Sequence, residues 1–339
     1  ISRYNELSRT MYEEHSFQWT NFKHGLERVF WGYFKKLVIA DRILAAVNTL
    51  IESPDYYTGA FVLVGIIFYG IELYADFTGG IDITIGIAQM FWIKVAENFE
   101  RPYFSKNIAE YWRRWHITMG TWFKDYVFYP LSISKWMKNI TTFCKDHFGK
   151  GVAKRVPIYI ATMITWFATG IWHGASWNFI VWGLMNGIVI LISQEFNPLY
   201  EKFHSRFPKL VESRGYDAFQ ILRTFLLMGS LRLFDCYRDV KTAFYMFFSM
   251  ITQFRISEIT KEELLDLGLN MVDYAIVAIG VLIMFIVSLL GRNGSIRVKM
   301  DSKSYVIRYA IYLCLFFSII LFGAYGIGYD ATQFIYNQF

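Results

Sequence analysis

Cysteine, proline and charge are all scarce in this chain, and each scarcity closes off a class of protein. The three cysteines in 339 residues, Cys144, Cys236 and Cys314, are far apart and odd in number, so they give no disulfide framework and no zinc spacing. Cys144 and His147 share one basic stretch and hint at a metal site, but no second pair lies nearby. With six prolines and no Pro/Ser/Gly-rich linker or low-complexity tract, nothing divides residues 1–339, which read as a single domain. Asp, Glu, Lys and Arg together make up 18% of the chain, against about 25% in soluble proteins. Since 55% of the residues are hydrophobic and 19% aromatic, the balance points to an all-α polytopic protein of the lipid bilayer. The net charge of +6 raises the question of nucleic acid. The basic residues lie between apolar runs, however, where cytoplasmic loops and anionic lipid account for them, and no nucleic-acid partner is expected. The first residue is Ile1 and no signal peptide follows, so the sequence reads as beginning inside a longer protein.

Charge vanishes completely over 39 residues, 156–194. A membrane-spanning helix needs roughly 20 apolar residues, so this run holds either two spans or one span and a broken, re-entrant one. In its middle sits Gly170-Ile171-Trp172-His173-Gly174-Ala175-Ser176-Trp177. An imidazole there is costly to desolvate, which makes His173 a functional candidate; the plainer reading is a histidine bonding neighbouring helices. The basic stretches 135–155 and 196–214 flank the run. If it crosses twice, both lie on one side, and the lysine and arginine excess makes that side the cytoplasm.

Upstream, residues 24–50 alternate apolar and charged positions and suggest an interfacial helix. Residues 56–71 suggest a span, extended by Tyr74-Ala75-Asp76-Phe77-Thr78-Gly79-Gly80-Ile81-Asp82. The Gly pair permits a helix break. Asp76 and Asp82 beside it would either meet cations inside the bundle or cap two helices. Residues 101–127 carry Glu110-Tyr111-Trp112-Arg113-Arg114-Trp115-His116-Ile117-Thr118 and Trp122-Phe123-Lys124-Asp125-Tyr126. On a helix Trp112, Trp115 and His116 share a face, with Glu110, Arg113 and Arg114 turned elsewhere. So many aromatics call for membrane and two arginines exclude free lipid, which leaves an interfacial or a protein-buried re-entrant segment. An aromatic belt would explain the tryptophans but not the Arg-Arg-Trp-His block. Downstream, residues 274–291 and 309–329 are clear spans, while Arg223, Arg232 and Asp235 interrupt 215–255 and leave its topology open.

Of six histidines, only His116 and His173 fall where water is scarce. A neutral imidazole in a low-dielectric site is a natural general base. The chain has no nucleophile elbow, P-loop or metal-ligand spacing, so direct acyl transfer to a hydroxyl is the chemistry the residues suggest. A proton relay in a transporter or channel and bis-histidine haem ligation are the readings from other classes.

The block from Arg101-Pro102-Tyr103 through Trp112-Arg113-Arg114-Trp115-His116 to Trp122-Phe123-Lys124-Asp125-Tyr126, followed by Trp172-His173-Gly174, resembles the membrane-bound O-acyltransferase superfamily. The likeness is to its bacterial branch of alginate O-acetylation and teichoic acid D-alanylation proteins. Residues 74–79, Phe322-Gly323, Tyr329-Asp330 and Phe334-Ile335-Tyr336 also match that branch. The resemblance implies about eleven helices around a tunnel through a thinned membrane, with the family's first helices missing here. It makes His173 the catalytic base and His116 the second conserved polar residue. Trp112, Arg113, Arg114, Trp115, Trp172, Asp125, Asn186 and Asp76 are the candidate substrate-binding positions. Asn186, in Trp182-Gly183-Leu184-Met185-Asn186-Gly187, stands where many alginate-type members carry another histidine. The implied reaction takes acetyl from a cytoplasmic thioester, acetyl-CoA foremost, with no bound cofactor. The acceptor is an exported polysaccharide or an extracytoplasmic partner protein, and the setting is the bacterial inner membrane. D-alanyl transfer from a carrier protein to teichoic acid is the alternative within the family.

Overall fold

The computed structural model describes residues 1–325, so the matches at Tyr329-Asp330 and Phe334-Ile335-Tyr336 lie outside the described residues. The protein is all-α: helix follows helix, and the extended pairing among the described residues is the isolated bridge Phe99–Trp115. Ala60–Met90, Trp177–Glu195, Met271–Asn293 and Tyr305–Phe322 are each long and apolar enough to cross a membrane, which makes the chain a polytopic membrane protein. The chain packs as two compact units, one formed by Ile1 and residues 98–247 and the other by residues 2–97 and 248 onward.

In the second of these units the Ala60–Met90 helix runs unbroken through Gly79-Gly80, where the sequence suggested a break. The glycines serve close packing instead. A Cβ on Gly79 would lie 2.9 Å from the Gly32 carbonyl oxygen, and one on Gly86 would lie 2.6 Å from that of Gly25. Two glycine pairs, seven residues apart on both helices, thus let Trp19–Tyr33 lie directly on Ala60–Met90, the small-residue contact that helices use where lipid removes the hydrophobic driving force. Asp76 and Asp82 lie well inside the long helix and cap nothing.

Residues 24–50 are not an interfacial helix with its charges in water. They continue from Trp19–Tyr33 through a π-helical turn, Phe34–Ala40, into Asp41–Glu52, and their charges face protein. Arg28 bonds Asp82 (2.7 Å) and Glu97, Lys35 bonds Asp82 (2.6 Å) and Thr78, and Lys36 pairs with Asp41 (2.7 Å) and Asp76. A charge buried alone is expensive, so these cations are held where the acids of the neighbouring helix meet them. Apolar side chains of the same stretch, Val38, Ile39, Ile43 and Leu50, form the unit's core with Leu267, Val277 and Ile319.

The first unit is built on a helical hairpin. Lys150–His173 and Trp177–Glu195 pack along each other, so the uncharged run forms two helices with a turn at Gly174–Ser176. A Cβ on Gly183 would run into the Trp166 carbonyl oxygen, and one on Gly170 would lie 2.6 Å from that of Phe179. At the open end, Glu195 takes Arg155 and the Tyr159 hydroxyl, bringing the two flanking basic stretches to the same end. His173 is the last residue of the first helix and sits at the turn rather than halfway along a span. Arg214–Cys236 is one helix and packs beside the hairpin.

Candidate active site

Trp112 and His116 do not ride on one helix. Ile108–Arg114 starts at Asn107, whose side chain accepts from the Glu110 N–H, and stops after two turns. Trp115 is extended and His116 is left-handed at φ 47°, before Ile117–Phe123 begins. A non-glycine residue in that region costs of order 1 kcal/mol, and a partner distant in sequence holds it there. The Asn98 carbonyl accepts from the Ile117 N–H (3.0 Å), and the Asn98 side chain accepts from both the N–H and the hydroxyl of Thr118 (3.2 and 2.6 Å). The break turns the His116 ring inward to 3% exposure, against Phe99 and Trp172 (ring centroids 6.5 and 5.9 Å). Burial holds this imidazole below its ordinary pKa, in the neutral form.

The hairpin turn supplies the other half. The His173 ring lies 4.5 Å from Trp182, edge to face, and 5.1 Å from Trp172, whose other neighbour is His116. The two histidines therefore flank one indole. Between the hairpin and Ile108–Arg114, Arg232 inserts its guanidinium among Trp115, Trp182 and Trp112, at 5.1, 5.4 and 5.9 Å. It donates to Asp235 (2.6 Å), bonds the Tyr111 hydroxyl, and is within electrostatic reach of both imidazoles. Asn186 holds the wall: its Oδ1 accepts from the Trp112 indole (3.2 Å) and its Nδ2 donates to the Trp182 carbonyl (2.9 Å). Asn178 donates to the Phe234 carbonyl (2.9 Å), tying Arg214–Cys236 to the hairpin.

The structure thus gathers His116, His173, Trp112, Trp115, Trp172 and Asn186. Arg113 is exposed, and Arg114 is turned to Glu110 (2.6 Å). Asp125 is half-buried on the π-helical turn Lys124–Phe128, and Asp76 belongs to the ion network of the other unit. Cys144 is buried and His147 bonds back to the Phe143 carbonyl, and among the described residues no three metal-ligating side chains converge.

Sequence reasoning passed over Arg232 and Asp235, reading them as interruptions of an apolar stretch. Their spacing, i and i+3 within an otherwise apolar turn, was the available signal, since an ionisable pair in such a helix faces protein.

The pattern of the family described as MBOAT, membrane-bound O-acyltransferase, matches residues 1–145. The chain is 31% identical over 180 residues to a peptidoglycan O-acetyltransferase of Helicobacter pylori, covering 53% of this chain and 31% of that protein. It is 31% identical over 173 residues to an Azotobacter vinelandii protein described as a probable alginate O-acetylase (51% and 31%). To a teichoic acid D-alanyltransferase of Bacillus subtilis it is 26% identical over 209 residues (59% and 47%). The chain thus spans about a third of the length of the first two relatives.

Proposed function

From the match of residues 1–145 to the membrane-bound O-acyltransferase family and the likeness to cell-envelope acyltransferases, we propose that the chain is a member of that family and an acetyltransferase of the inner membrane. It takes acetyl from a cytoplasmic thioester, acetyl-CoA, and passes it to hydroxyls of an exported envelope polysaccharide, directly or through an extracytoplasmic partner protein. The observation that carries this reading is the meeting of two imidazoles around Trp172, beside the Arg232 guanidinium, in a wall of tryptophan.

His173 accepts the proton of the incoming hydroxyl as its oxygen bonds to the thioester carbonyl carbon. The carbon–sulfur bond then breaks, and the thiolate recovers the proton from the imidazolium. His116 stays neutral and positions the hydroxyl or relays that proton. Trp112, Trp115 and Trp172 exclude water around the short acyl group, while Arg113 and Arg114 meet the phosphates of the donor. Asp125 belongs to the approach to the site. D-alanyl transfer uses the same atoms with another donor, and the Bacillus relative favours keeping it as the second reading.

Membranes holding the protein are incubated with labelled acetyl-CoA and, separately, with a labelled D-alanyl carrier. Acetyl leaves its donor with the wild type and not with His173→Ala, which stays folded. D-alanyl label leaving instead selects the second reading. Normal transfer by His173→Ala removes that residue as base, and a wild type inert toward both donors removes the transferase reading.

A further inference from the structure

The imidazoles account for the proton but not for the charge that develops on the other reactant. When a hydroxyl adds to a thioester carbonyl, the carbonyl oxygen becomes an oxyanion, and in a dry site nothing solvates it unless donors are built in. Arg232 is 7% exposed and lies on an otherwise apolar stretch of helix, where a lone cation is expensive. Asp235, from the next turn, and the Tyr111 hydroxyl fix its position, and its planar guanidinium stands among three indoles. Trp182 adds a second donor. It is fully buried, its ring meets His173 at 4.5 Å, and its indole N–H has no partner among the described residues. A buried N–H without a partner is costly, a penalty that a ligand oxygen would relieve.

The geometry points to Arg232, with the Trp182 N–H, as the donors that hold the acyl carbonyl oxygen and take up its charge in the transfer step. This rests on the acyltransferase reading above. The hydroxyl proton goes to His173 as the new carbon–oxygen bond forms, the oxyanion is held by Arg232 and Trp182, and its collapse expels the thiolate, which leaves with the proton. Asp235 is a positioning residue that acts through Arg232.

The test measures acyl transfer by the full chain in membranes, with acetyl-CoA and the D-alanyl carrier as donors, for wild type, Arg232→Gln, Arg232→Lys and Trp182→Phe. Removing one such donor lowers kcat by about 10²–10³-fold. Arg232→Gln and Trp182→Phe are therefore each expected to lose that much kcat with donor KM little changed, and Arg232→Lys a smaller amount. Wild-type turnover by Arg232→Gln, or a raised KM at unchanged kcat, overturns the assignment while leaving the transferase intact. If Arg232→Gln does not fold, Arg232→Lys and Trp182→Phe decide: both at wild-type kcat refutes it. A wild type inert toward both donors overturns the parent reading and this one together.

Discussion

Replacing Gly86 by alanine drives a methyl group into a space that the backbone of the facing helix already fills. The new Cβ would stand 2.6 Å from the Gly25 carbonyl oxygen, 2.9 Å from Val29 Cγ2 and 3.0 Å from the Val29 nitrogen. Ordinary contact begins at 3.4 Å, so the helices must separate by 3.4 − 2.6 = 0.8 Å. Two of the three obstructing atoms are backbone and cannot rotate aside. Overpacking of this kind costs about 1–3 kcal/mol, offset by the roughly 1 kcal/mol that alanine gains over glycine inside a helix. The net is a loss of about 1–2 kcal/mol. Gly25→Ala meets the same wall from the other side, 2.5 Å from the Gly86 carbonyl oxygen. Once one methyl has spread the pair, the second fits more easily, so the double variant should fall short of the sum by about 1 kcal/mol. Gly65 on the same long helix is the control. Its Cβ would meet only Leu50 Cδ1 at 3.9 Å, and Gly65→Ala should be neutral or stabilising by up to about 1 kcal/mol. Equilibrium unfolding in mixed micelles, followed by tryptophan fluorescence, measures all four proteins. Additive losses at 25 and 86, or a Gly65→Ala as damaging as Gly86→Ala, would refute the close-contact argument.

Other perturbations read different parts of the structure. At residue 116 both His116→Gly and His116→Ala remove the ring, but the left-handed backbone should leave the glycine variant about 1 kcal/mol more stable than the alanine one; equal melting temperatures would argue against that turn. Asn186→Leu strands the Trp112 indole and should lose about 1 kcal/mol, whereas Asn186→His keeps a polar partner and should melt closer to wild type. Asp301 is bonded by Lys23 and then His24, which hold its carboxyl below the usual range. Its contribution is therefore present above about pH 4, the unfolded carboxylate value, and is lost as pH falls through the lower folded value. The melting-temperature gap between wild type and Asp301→Asn should shrink from pH 6 to pH 3, and a constant gap would contradict the pairing.

The spans were legible, and the two histidine blocks that meet around Trp172 stood out, because both depend on composition and on residues close in sequence. Their arrangement was not. The spacing of Trp112, Trp115 and His116 suits one helical face, yet the Ile117 N–H donates to the Asn98 carbonyl where the helix stops, and a pattern within 112–116 cannot carry that contact. Gly79-Gly80 permits a break and packing equally, and the choice lies with Gly25 and Gly32 on another helix. The charges of residues 24–50 suggested an interfacial helix because Asp82 and Asp76, the partners of Lys35 and Lys36, are remote in the chain. Arg232 shows the same limit: a cation in an apolar stretch reads as an interruption until the ring of indoles around it is seen.

The π-helical turn at Phe34–Ala40 makes the length of that stretch a coded quantity. A wide turn takes up a residue more than an α-turn, and an α-helix advances about 100° per residue. Deleting Leu37 would let the turn tighten into regular helix and absorb the loss, so Arg28 and Lys35 would keep their acid at Asp82, and the apolar face at Ile43 and Leu50 would stay on its partners. The same deletion inside Asp41–Glu52, where the helix is already regular, would rotate everything after it by roughly a quarter of a circle and swing Leu50 off that core. A one-residue deletion should thus be tolerated better in the wide turn than in the helix that follows it.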